Sequence, residues 1–109
     1  MAMATIEISL AEDGSSIDAR VGDTIVLRLS DNPTTGYRWE LEPVVGEQLL
    51  LDDAGYESSG PAIGSGGVAT WTLHAVSPGI STVHLKRWRP WKGEASVLAR
   101  FAAIVHVHH

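Results

Sequence analysis

Cysteine does not occur in this 109-residue chain. That excludes disulfides, a thiolate nucleophile and any cysteine-ligated metal, and cysteine usage gives no clue to redox compartment. No apolar run approaches the roughly 20 residues that a membrane-spanning helix needs, so no membrane partner is expected. Nor does any segment carry a convincing helical period. Positive charge is also short: eight Lys and Arg stand against 13 Asp and Glu, for a net charge of −5. A nucleic-acid partner is therefore not expected, because such binders carry a basic field. Four of the cations, Lys86, Arg87, Arg89 and Lys92, do crowd into one heptapeptide with two tryptophans. That patch is too small to offset the acidic remainder. No nucleophile elbow or other catalytic motif occurs, so an enzyme is not expected either. Met1-Ala2-Met3-Ala4 leads into a strand-like stretch without the charged-then-apolar pattern of a signal peptide. Either none is made or one has been removed, and the compartment stays open.

What the chain has in quantity is alternation. Ile6, Ile8 and Leu10 alternate with Glu7 and Ser9; Ile17, Ala19 and Val21 with Asp18 and Arg20; Ile25, Leu27 and Leu29 with Arg28 and Ser30. Tyr37, Trp39 and Leu41 repeat the pattern, as do Ala69, Trp71, Leu73 and Ala75, then Val83 and Leu85, then Val97 through Val107. A period of two predicts strands with one face inward. Gln48 to Leu51 reads only as a short, weak edge strand. Turn residues such as Gly22-Asp23, Asn32-Pro33 and Pro78-Gly79 separate the runs. Seven to eight short strands at this spacing in one domain over residues 1–109 predict an all-β, immunoglobulin-like sandwich without a disulfide. Trp39 and Trp71 are the expected large core residues.

Three connections carry more than turn chemistry. In Asn32-Pro33-Thr34-Thr35-Gly36-Tyr37, proline fixes one φ and extends the residue before it, while glycine permits a positive φ on re-entry to the next strand. The expected product is a stiff loop tipped with small hydroxyls, or simply a well-made turn. Gly64-Ser65-Gly66-Gly67 is followed by a strand, so it does not cradle phosphate as a glycine-rich loop before a helix does. It is either a flexible tip or a place where backbone approaches a partner. Trp88-Arg89-Pro90-Trp91-Lys92-Gly93 exposes residue types enriched in binding hot spots. Alternation puts Trp88 with Lys86 and His84 on a strand face, whereas Trp91 falls beyond Pro90 and is the better candidate for partner contact.

Taken in order and spacing, Asn-Pro-Thr-Thr-Gly-aromatic, Gly-x-Gly-Gly and Arg-Pro-Trp resemble the chagasin family of cysteine-protease inhibitors. The likeness runs from about Ile6 to Val107 and includes Gly67-Val68-Ala69-Thr70-Trp71 and Ser77-Pro78-Gly79. The one departure is Tyr37, where phenylalanine would fit equally. The resemblance implies a reversible, non-covalent inhibitor of papain-family cysteine proteases that inserts its BC, DE and FG loops into the active-site cleft. It places Asn32, Pro33, Thr34, Thr35, Gly36 and Tyr37 over the catalytic Cys-His pair, with the two threonines nearest. Gly64, Ser65, Gly66 and Gly67 run along one side through backbone contacts. Arg89, Pro90 and Trp91 pack on the other, Trp91 against aromatic groups near the catalytic histidine. On this reading the loops act separately, so Trp91 and Thr34 should contribute almost additively. The free protein is expected to be a monomer.

The rival reading is a non-catalytic adhesion or carbohydrate-binding sandwich that uses the same exposed tryptophan. No cofactor or metal is expected. His106 and His108 stand at period two on one strand face, with His109 beside them, but no third ligand is evident in the pattern. The same residues equally suit a surface strand end or the remnant of an affinity tag.

Overall fold

A computed structural model describes residues 3–31, 35–58 and 66–109. Its strands are β1 (Thr5–Ile8), β2 (Ser16–Arg20), β3 (Thr24–Asp31), β4 (Arg38–Leu41), β5 (Leu49–Ser58), β6 (Gly67–Ala75), β7 (Gly79–Trp88) and β8 (Ala99–His108). They form two four-stranded sheets, ordered β1-β3-β6-β5 and β2-β8-β7-β4. Among the described residues there is no α-helix, only three short 3₁₀ turns. Among the described residues no helix is long and apolar enough to cross a membrane. The all-β sandwich expected from the alternation is the observed fold.

The core lies between the sheets and is built from the inward-facing set of each strand. Ile25, Leu27 and Leu29 from β3 and Leu73 from β6 face Leu85 from β7 and Phe101 and Val105 from β8, all nearly inaccessible to water. Trp39 and Trp71 are both buried at the margin of this cluster. The edge strands differ. β1 and β2 pair in parallel with β3 and β8 respectively, because the 3₁₀ turn Leu10–Glu12 carries the chain from one sheet to the other.

Four expectations are corrected by the fold. Leu10 is exposed in that crossover turn, and Val21 is exposed past the end of β2. Val97 stands before β8, in the preceding loop. The weak segment at Gln48–Leu51 opens a ten-residue edge strand, β5. A bulge between Leu51 and Asp53 breaks its register with β6. An inserted residue reverses the phase of alternation, and from Leu50 to Ser58 both faces are exposed. Neither feature leaves a period to read.

The end of the sandwich where β2 turns into β3 is clamped by a buried aspartate. The two oxygens of Asp23 accept from the backbone N–H groups of Ala4 and Arg20, each at 2.9 Å. Its carbonyl accepts from Ala75 N–H at 2.9 Å. One residue thereby joins the approach to β1, the β2–β3 turn and the end of β6. The bonds from Ala4 and Arg20 hold the carboxyl below the usual aspartate range.

Candidate functional site

At the opposite end, strand register gathers three connections. Asp31, the last residue of β3, pairs with Gly67 at the start of β6, and Gly67 pairs with Ser58 at the end of β5. In the other sheet Arg38 at the start of β4 pairs with Trp88 at the end of β7, and Arg87 pairs with Ala99 at the start of β8. Connections 32–37, 59–66 and 89–98 therefore all leave and re-enter the sheets at this end. Asn32, Pro33, Thr34, Gly64 and Ser65 lie outside the described residues. The base of the first connection is tied across the sandwich: Trp39 donates its backbone N–H to Asp31 Oδ2 at 3.4 Å and its indole N–H to Ser30 O at 3.2 Å.

Arg89 turns from the end of β7 onto the first connection. Its Nη2 donates to Thr35 O at 2.9 Å, and its guanidinium stands 4.2 Å from the centre of the Tyr37 ring. The first bond is charge-assisted and the second a cation–π contact. Thr35 Oγ1 in turn accepts from Tyr37 N–H at 3.3 Å. Trp91 is 69% exposed, yet its ring edge rests on Gly36. A Cβ at position 36 would stand 2.9 Å from Trp91 Cη2 and 3.3 Å from Arg89 Nε, and Gly36 has a φ of +81°. Glycine is required there twice, for the backbone angle and for the close approach of the indole.

The 89–98 connection is fastened from within. Ser96 Oγ accepts from Arg89 N–H at 3.0 Å and lies 2.7 Å from Gly93 O and 3.0 Å from Arg89 O, which share its proton. Leu98 N–H donates to Arg87 O at 2.8 Å. Pro90 opens the 3₁₀ turn Pro90–Lys92 that carries Trp91. Glu94 takes Lys86 Nζ at 2.7 Å and Arg100 Nη2 at 2.9 Å, and the hydrogen bond from Lys86, with help from Arg100, holds its carboxyl below the usual range. Lys86 Nζ also lies 3.6 Å from the Trp88 ring centre. Two cations of the basic heptapeptide thus have partners inside the molecule. Trp88 is half-buried at the end of β7 and covered by Lys86.

The glycine-rich segment divides. Gly66 has a φ of +75°. Gly67 is buried in β6, where a Cβ would collide with Glu57 O and stand 2.6 Å from the Tyr56 hydroxyl. Its approach to backbone is internal, to β5. Of the proposed contact residues, the structure brings Thr35, Gly36, Tyr37, Arg89 and Trp91 into one cluster. Sequence reasoning missed Ser96 and Glu94. A lone serine and a lone glutamate among many carry no local signal, and only the fold supplies their partners.

A β-sandwich that presents fastened loops with an exposed tryptophan at one end has the form of a binding protein that acts by its loops. The model of the chagasin family of peptidase inhibitors, I42, matches residues 18–105, and the chain belongs to that family. Chagasin of Trypanosoma cruzi is 25% identical over 100 residues, which cover 87% of this chain and 91% of chagasin. The crystal structure of EhICP2, a cysteine protease inhibitor from Entamoeba histolytica, superposes with a TM-score of 0.85 at 23% identity, covering 99% of each chain. PbICP-C, solved in complex with falcipain-2, superposes with a TM-score of 0.66 at 13% identity over 99% of this chain and 94% of its own. The protein is thus a peptidase inhibitor of the chagasin family.

Proposed function

We propose that the chain inhibits papain-like cysteine proteases reversibly, by laying connections 32–37, 59–66 and 89–98 together into the active-site cleft without forming a covalent bond. The observation that carries this reading is the latch between the first and third connections. Arg89 bonds Thr35 O, and the Trp91 ring lies on Gly36. Loops fastened before binding lose little conformational entropy on docking, and an indole offered at 69% exposure is a large apolar anchor. On this reading Thr34 and Thr35 stand over the reactive thiolate, Gly64 to Gly66 flank one side, and Trp91 fills the other. Arg89 acts chiefly as the strut between loops and less as a direct contact.

A panel of proteases from each mechanistic class tests the proposal. Papain-type enzymes should be inhibited at one-to-one stoichiometry, and serine, aspartic and metalloproteases left untouched. A papain-type enzyme with alanine for its catalytic cysteine should still bind, and mass spectrometry after long incubation should find no cleavage between Asn32 and Tyr37. Inhibition of trypsin at similar concentration would overturn the reading, as would a stoichiometric nick in that loop.

A further inference from the structure

The outer face of the β2–β8 pair holds three metal-ligating side chains that the inhibitory end does not use. Asp18, His106 and His108 each offer one ligand atom, and these atoms all lie within 4.8 Å of one another. The topology makes this cluster. β2 and β8 run parallel with Asp18 opposite His106 and Arg20 opposite His108, although Asp18 and His108 are 90 residues apart in the chain. Along β8 the side chains of Val105 and Val107 point into the core, so His106 and His108 share the outward face. Their rings stack with centroids 4.6 Å apart and 27° between planes. His108 Nε2 stands 2.9 Å from Asp18 Oδ1.

We propose that Asp18, His106 and His108 form a surface site for a divalent transition-metal ion of the zinc class. Zinc binds imidazole nitrogen and carboxylate oxygen at about 2.0–2.2 Å, which in tetrahedral geometry sets ligand atoms about 3.3 Å apart. The cluster reaches that spacing by small rotations of exposed side chains on strands whose backbones are already hydrogen-bonded. Two nitrogens and one oxygen suit zinc, nickel or copper. Calcium and magnesium, which take oxygen ligands, should be rejected. Three protein ligands leave a fourth position for water. The ion would bridge β8 to β2, which stands at the edge of its sheet beside β8, and so resist fraying of that edge. His106 lies seven residues along β8 from Ala99, roughly 23 Å at strand rise, so the site is separate from the inhibitory loops.

Zinc chloride is titrated into the chelator-treated full chain by calorimetry, with melting temperature recorded in zinc and in magnesium. One ion should bind per chain in the micromolar range, and zinc should raise the melting temperature by a few degrees through linkage, with magnesium without effect. His106→Ala, His108→Ala and Asp18→Asn should each weaken binding by more than the roughly tenfold that loss of an outer-shell partner costs. His74→Ala and His109→Ala should not. All three site variants should keep full inhibitory strength in chelator-containing buffer. Absence of zinc binding at sub-millimolar concentration would overturn the proposal. So would equal stabilisation by magnesium, or loss of binding in His109→Ala with Asp18→Asn unaffected.

Discussion

Gly36 and Trp91 are two sides of one contact, and the roles of both residues follow from it. The indole is broadly exposed but its far edge is seated, so its direction is fixed before any partner arrives. Trp91→Ala should weaken inhibition of a papain-type protease by about 2–4 kcal/mol, the range of a hot spot, or roughly 30- to 1,000-fold in inhibition constant. Its melting temperature should stay near the parent's, because an exposed side chain contributes little to stability. Gly36→Ala would force a side chain into a left-handed backbone angle, at a cost of about 1–2 kcal/mol of stability, and would push the indole aside. Its effect on inhibition should shrink when combined with Trp91→Ala, and a double-mutant cycle read by inhibition constant measures this. Simple addition of the two losses would mean that the seat does not orient the ring. A cycle of the same kind tests the near-additivity expected of Trp91 and Thr34. Thr35, next to Thr34, is bonded to Arg89 of the other loop, and residues in one network couple.

The connection between β7 and β8 behaves as an element in its own right, although it has no regular strand. One hydroxyl, Ser96 Oγ, closes it onto Arg89, and Glu94 fastens it to β7 and β8 through Lys86 and Arg100. Ser96→Ala would leave the Arg89 N–H without its acceptor and should cost about 1–2 kcal/mol in denaturant unfolding, the scale of a lost hydrogen bond with a stranded donor. The same variant should weaken inhibition, chiefly by faster dissociation, because Arg89 would no longer be held to brace the first loop. A variant with parental inhibition and parental stability would show the hydroxyl to be dispensable. The Glu94 carboxylate itself is exposed, and its ion pairs contribute less than the serine, as pairs open to solvent usually do.

Three carboxyls, those of Asp18, Asp23 and Glu94, are held below their ordinary range in the folded protein. The unfolded chain therefore takes up protons before the folded one does, so the stability they contribute is complete above the ordinary carboxylate range. It is lost as pH falls through the lowered folded values. Thermal melts should decline across that acid window, and Asp23→Asn should flatten the decline while lowering stability at neutral pH. A decline of unchanged steepness in that variant would remove Asp23 from the account. The all-β fold and most of its core were legible from alternation alone, because a strand with one buried face must repeat every two residues. β3, β6 and β8 show this without exception. The order of loop motifs also pointed to the family, since a loop that must be stiff in one place needs proline and glycine at set positions. β5 was not legible, because it is exposed on both faces and bulged, and neither condition imposes a period. Nor were the partners of Arg89, Ser96 and Asp18. Strand pairing brings Arg89 and Asp18 to partners 54 and 90 residues away, while Ser96 meets Arg89 only because the 89–98 connection folds back on itself. Such pairings depend on which strands share a sheet and in what register, and these are properties of the packed molecule that no local run of residues contains.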